Sequence, residues 1–179
     1  MTHTDSCWQP LPACADARLR HWLRDRGSLT RRIQARCDDF HLQLLSQRSA
    51  PAGPDEARAI GLKPGMKCIE REVTLNCGNR AVVFAHSVLS PQSLKGPWRM
   101  LGGLGAKPLG AALFADPCIR RFPLRFRQLS VHHRLYPRAA HCLRRPPPVL
   151  CARRSLFVLH DAPLLVTEVF LPAILELAP

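Results

Sequence analysis

Apolar and polar side chains alternate most clearly in MKCIEREVTLNC, residues 66–77. In an extended chain Ile69, Arg71, Val73 and Leu75 share one face, and Glu70, Glu72 and Thr74 share the other. This predicts a half-buried strand. RAVVFAHSVLSP, residues 80–91, predicts a second, with Val82, Phe84, His86 and Val88 on one face. Gly78 and Asn79 between them supply the turn of a hairpin. FHLQLLSQR, residues 40–48, predicts an earlier strand. Near the end, residues 151–172 predict two strands joined at HDAP. In the last of them, PLLVTEVFLP (163–172), Leu164, Val166, Glu168 and Phe170 fall together.

Helical spacing is confined to shorter stretches. In residues 15–37, Leu19, Trp22 and Leu23 recur at helical intervals, Gly27 interrupts, and Ser28 can cap a second helix with Leu29 and Ile33 inward. Residues 49–65 begin as a linker, DEARAIGL predicts a short helix, and LKPG is a turn signal. Residues 93–117 are rich in glycine and proline, and their tail PLGAALF predicts a helix with proline in its first turn. That segment lacks both GxxxxGK[ST] and GxGxxG, so it reads as close packing or a flap beside a pocket. Residues 118–160 are basic. FPLRFRQLSVHHRLY supplies strand material there, and AAHCLRRPPP is an excursion ending in a rigid proline run. The pattern predicts an α+β fold: one domain spanning 1–179, an antiparallel β-sheet with helices packed on one side, and residues 1–10 flexible.

Composition narrows the partners. With 179 residues and 46% hydrophobic positions, one core is within reach. The net charge of +13 favours anions: nucleic acid, an acidic membrane surface or a small polyanion. Nucleic acid is not the expected partner, because a single Tyr and 6% aromatics leave few stacking platforms and the arginines form no recognised motif. No run of about twenty apolar residues predicts a membrane-inserted helix, and the start of the chain does not read as a signal peptide. A cytoplasmic location and a monomer are expected. Of the eight cysteines no pair has CxxC spacing, so no metal site is expected, and without an export signal free thiols are expected. Cys142 with His132, His133 and His141 has irregular spacing and reads as loop and surface residues.

Three ionisable residues lie on faces that should be apolar: Arg71, His86 and Glu168. Structural explanations exist for each. Arg71 and Glu168 could form an internal salt bridge, Arg71 could snorkel at a sheet edge, and His86 could be a hydrogen-bonded core histidine. The alternative is an anion pocket between sheet and helices. An arginine grips a carboxylate through two parallel hydrogen bonds, and a carboxylate accepts from a hydroxyl. Such a pocket suits a small molecule with an acid at one end and a hydroxyl at the other.

Four fragments carry a resemblance. They are WLRDRGSLTRRI (22–33), REV (71–73), KPLGAALF (107–114) and LLVTEVFLP (164–172). In this order and spacing, from about Leu11 to Pro172, the chain resembles the chorismate pyruvate-lyase family of ubiquinone biosynthesis. The resemblance implies a single α+β domain with an enclosed ligand pocket and no metal or organic cofactor. It implies chorismate as substrate and 4-hydroxybenzoate and pyruvate as products. It makes Arg71 the grip on the ring carboxylate and Glu168 the acid near the ring hydroxyl, with Leu29 and Leu109 lining the pocket. The family has an arginine in an A/G-R-T-V-x-P pattern where this chain has His86 in AHSVLSP. His86 is therefore the candidate contact on the pyruvyl side. The competing expectation is a non-catalytic module binding an aromatic acid, since the ligand-sensing domains of some bacterial transcription regulators look like this fold.

Overall fold

The computed structural model describes residues 8–14 and 16–177. Local chemistry sets the helix starts. Helix α1 (Ala17–Arg24) begins at Asp16, whose carboxylate accepts from the Arg18 and Leu19 amides. Helix α2 (Leu29–Gln34) begins at Ser28, whose hydroxyl accepts from the Arg31 amide. Strand β1 (Phe40–Pro51) runs further than its apolar pattern predicts. Helix α3 (Pro54–Ala59) follows it, with Pro54 at its start and the Glu56 carboxylate turned back onto the Gly53 amide. Strands β2 (Lys67–Cys77) and β3 (Arg80–Leu89) form the expected hairpin, with Gly78 at φ 56° in the turn. Helix α4 (Pro91–Lys95), a 3-10 turn (Arg99–Gly103) and helix α5 (Leu109–Ala115) make up the glycine-rich segment. The short strand β4 (Arg120–Arg121), strand β5 (Arg125–Ser130) and helix α6 (Tyr136–Ala140) come next. Strands β6 (Val149–Leu159) and β7 (Ala162–Phe170) close the chain through a tight turn. His160 and Asp161 have φ of 46° and 61° there, the handedness that matches strand twist.

All pairings are antiparallel in one seven-stranded sheet, ordered β1-β2-β3-β7-β6-β4, with β5 also on β6. The α+β class and the antiparallel sheet are as expected. Residues paired across strands share a face, so the register sorts the side chains. Arg71 pairs with Ser87, Ser87 with Val166, and Val166 with Ser155. Val73 pairs with Ala85, Ala85 with Glu168, and Glu168 with Arg153. These residues make the front face. Helices α1, α2 and α5 and the segment around α4 pack on this side, burying Trp22, Leu29, Ile33, Leu113 and, just after α4, Trp98. The reverse face carries Glu72, His86 and Thr167 in one row. It is closed by α3, through Ala57 and Ile60 against Cys68, Val88 and Leu165, and by Leu135, Tyr136 and Ala139 against Phe84 and Val169.

One expectation is overturned. Cys37 and Cys77 are joined in a disulfide across 40 positions. The reason is register: β1 opens with Phe40 opposite Cys77, which brings the chain just before β1 alongside the end of β2. Cys14, Cys68, Cys118, Cys142 and Cys151 remain thiols. Of the start expected to be flexible, residues 1–7 lie outside the described residues. Trp8 is buried, with its indole N–H donating to Asp55, and Gln9 bridges to Phe126. No described helix is long and apolar enough to cross a membrane.

Candidate active site

The front face is not sealed by its helical layer. A pocket remains between sheet and helices, walled by Arg71, Val73, Ala85, Ser87, Glu168, Arg153 and Ser155 from the strands and by Leu29, Leu109 and Phe114 from the helices. Four of the residues singled out by sequence thus meet: Arg71, Glu168, Leu29 and Leu109.

Arg71 projects from the middle of β2 and is buried. Its Nη2 donates to the carbonyls of Gly105 and Lys107, at 2.8 and 3.1 Å. The glycine-rich segment therefore orients this guanidinium with backbone oxygens. Among the described residues no carboxylate pairs with it, and its Nε is buried without a hydrogen-bond partner. Burial alone pulls its pKa below the ordinary arginine value. An unpaired buried donor on a cation is costly unless a ligand completes it.

Glu168 is not paired with Arg71. Its Oε2 accepts from Arg153 Nε at 2.5 Å. Arg153 is fully buried and was not anticipated as a site residue. Its Nη1 donates to the carbonyls of Trp22, Leu23 and Asp25, at 3.3, 3.2 and 2.5 Å. These oxygens lie at the end of α1, where the last carbonyls lack helical partners. One guanidinium therefore fastens the α1–α2 cap to the sheet and holds Glu168 in the pocket wall.

Arg121, from β4, lines the same pocket. Its Nε donates to Ser155 Oγ at 3.1 Å, and its Nη1 to the Arg26 carbonyl. It lies over the rings of Phe114 and Phe157, 5.2 and 5.4 Å from their centroids. Burial and then the charge of Arg153 lower its pKa, with Glu168 and Asp25 acting the other way. A periodicity test could have found Arg153, whereas the strand that carries Arg121 is only two residues long. In CARRSLF, Arg153 shares a face with Cys151, Ser155 and Phe157, the same anomaly that marks Arg71.

His86 is a correction. It does not line the pocket but sits on the reverse face, 1% exposed. Its Nδ1 is 3.0 Å from Glu72 Oε1. Its Nε2 is 3.1 Å from Glu56 Oε1, close enough for ion pairing but poorly aimed for a hydrogen bond. The cause is that both faces of this sheet are covered. An apolar face is thus no guide to which side holds the pocket, and His86 is one residue out of phase with Ala85 and Ser87. Burial would lower the His86 pKa, but the two carboxylates reverse this and raise it. Glu56 is pushed up by burial, yet His86, Arg134 and the Gly53 amide bring it down to about 2. Arg138 bridges Glu70 and Glu72, and Arg48 also reaches Glu70. This ionic network lies on the reverse face and reaches solvent through Arg48 and Arg134.

The family profile described as chorismate lyase matches residues 4–178. A "Probable chorismate pyruvate-lyase" of Nitrosospira multiformis is 49% identical over 174 residues, covering 97% of each chain. One of Aromatoleum aromaticum is 52% identical over 163 residues, covering 90% of this chain and 88% of its own. Among solved structures, the PhnF C-terminal domain superposes with a TM-score of 0.57 at 16% identity, over 74% of this chain and 84% of its own. A GntR-family regulator of Bacillus cereus gives 0.56 at 9% identity, over 79% and 97%. Those two likenesses concern the fold alone.

Proposed function

The chain belongs to the chorismate lyase family, and we propose that it converts chorismate to 4-hydroxybenzoate and pyruvate, the first step of ubiquinone biosynthesis. The observation that carries the site assignment is the buried, unpaired Nε of Arg71 in a pocket that also holds Glu168. The Arg71 guanidinium binds the ring carboxylate. Leu29 and Leu109 pack against the ring from the helical side. Glu168 accepts from the ring hydroxyl while Arg153 holds its other side.

In chorismate the hydroxyl-bearing carbon adjoins the carbon that bears the enolpyruvyl ether. Cleavage moves the hydrogen of the hydroxyl-bearing carbon to the enolpyruvyl methylene, which becomes the methyl of pyruvate. The carbon–hydrogen pair closes the aromatic ring, the ether pair forms the pyruvate carbonyl, and the alkene pair forms the new carbon–hydrogen bond. No protein base is required by this balance. Aromatisation supplies the driving force, so the pocket's work is orientation and stabilisation of charge on the departing enolpyruvyl unit. A monomeric enzyme is part of this reading, and the roles assigned need no cofactor.

Incubation with chorismate tests this directly. Equal amounts of 4-hydroxybenzoate and pyruvate are expected. Tight binding of 4-hydroxybenzoate with no turnover of chorismate would instead support the aromatic-acid-binding module, which the fold likeness to transcription regulators keeps in view.

A further inference from the structure

Chorismate carries two carboxylates, one on the ring and one on the enolpyruvyl ether, whereas 4-hydroxybenzoate carries one. The lyase reading, on which this inference rests, gives the ring carboxylate to Arg71. The residue expected on the pyruvyl side, His86, faces away. Arg153 is engaged by Glu168 and three carbonyls. We propose that Arg121 anchors the enolpyruvyl carboxylate, a contact that chorismate makes and its aromatic product cannot.

Three observations converge. The first is position. Across the sheet the order is β2, β3, β7, β6, β4, so Arg71 and Arg121 stand at opposite sides of the pocket with Glu168 between them. Four strand spacings separate them, roughly 19 Å of backbone, and two long side chains reach inward from the ends. In chorismate the ring carboxylate is likewise remote from the hydroxyl and the ether, which are neighbours. A substrate lying across the strands puts its ring acid at β2, its hydroxyl at β7 and its ether acid toward β4.

The second observation is charge. The pocket wall holds the guanidiniums of Arg71, Arg121 and Arg153 against the one carboxylate of Glu168. The excess of two positive charges equals the charge of the dianion. The third is the way Arg121 is held. Its partners are a hydroxyl and a backbone carbonyl, with two aromatic rings beneath it. These fix the plane of the guanidinium without neutralising it. A cation so placed also opposes the negative charge that gathers on the enolpyruvyl unit as the ether breaks. Once pyruvate leaves, the remaining product keeps the Arg71 and Glu168 contacts and loses the one to Arg121.

The test compares two ligands in Arg121→Gln and Arg121→Lys. The KM for chorismate should rise roughly 10- to 100-fold in Arg121→Gln, the range for a lost hydrogen bond to a charged group. The Kd for 4-hydroxybenzoate, measured by calorimetry, should stay within about twofold of the parent, as a non-contacting substitution allows. Arg121→Lys should recover part of the loss, since it keeps the charge but not the fork. Equal losses for both ligands would make Arg121 a structural residue and overturn the proposal. So would an unchanged KM in an active enzyme. A parent protein that makes no 4-hydroxybenzoate would instead strike the lyase reading itself and take this inference with it.

Discussion

The two faces of the sheet both bury charge, and they do it in opposite ways. On the reverse face, Asp55, Glu56, Glu70 and Glu72 are met by His86, Arg48, Arg134, Arg138 and Arg154, in contacts of 2.5 to 3.1 Å. Each carboxylate has a cation against it. On the front face a lone carboxylate stands among three guanidiniums, and one buried donor of Arg71 has no partner. Burial therefore does not identify a site, because His86 is more buried than Arg71. Lack of internal compensation does. On the reverse face every carboxylate named has a cation against it, and on the front face the guanidiniums outnumber the carboxylate three to one.

The strongest challenge to this contrast is Arg71→Ala. It should lower kcat/KM by about 10²- to 10³-fold, the scale of a lost charge-assisted contact at the reacting molecule. It should weaken 4-hydroxybenzoate binding as well, while thermal melting changes little. Unchanged affinity for both ligands would end the role assigned to Arg71. On the other face, Glu72→Ala takes one of two carboxylates from both His86 and Arg138. It should cost about 3 kcal/mol in denaturant unfolding, as for a broken buried pair, with KM for chorismate unaltered. A change in KM without lost stability would show that the faces are not independent.

Glu168→Gln has a smaller expected effect. If the carboxylate only accepts from the ring hydroxyl, an amide retains an acceptor, and kcat/KM should fall about tenfold, one net hydrogen bond's worth. A loss of several thousandfold would mean a proton moves through Glu168. The smallest effect is one of pH, and it belongs to the reverse face. The His86 pKa is raised from 6.5, so its contribution to stability is full below that value and is lost as pH climbs through the raised one. Glu56 is lowered from 4.5 to about 2, so its contribution is full above 4.5 and is lost as pH falls toward 2. Melting temperature against pH should decline at both ends, and a flat profile through both regions would remove the charged His86 from the account.

Much of this was legible from alternation alone. The β2–β3 hairpin, the β7 strand and the short helices follow from patterns of two or about four positions. The off-pattern charges Arg71 and Glu168 follow from the same count. The resemblance to the lyase family joined Leu29 and Leu109 to them. What alternation cannot carry is which side of a doubly covered sheet a face belongs to, and that is where His86 went astray. Arg121 and Arg153 were hidden by their neighbours. Each stands beside another arginine, Arg120 and Arg154, and a pair of like charges reads as solvent-exposed surface. The Cys37–Cys77 bond depends on a strand register set 40 positions away, which no local pattern contains.

Arg153 has a consequence for the helical cap. Helices α1 and α2 have 8 and 6 residues, lengths that do not persist alone in water. They exist because Trp22, Leu23, Leu29 and Ile33 dock on the finished sheet and because Arg153 receives the orphaned carbonyls at the end of α1. The cap therefore depends on the sheet for its existence, and the two helices hold or loosen together. When that unit lets go, Arg153 loses the three carbonyls that fix its far end, and the guanidinium that holds Glu168 is left steadied from the sheet alone.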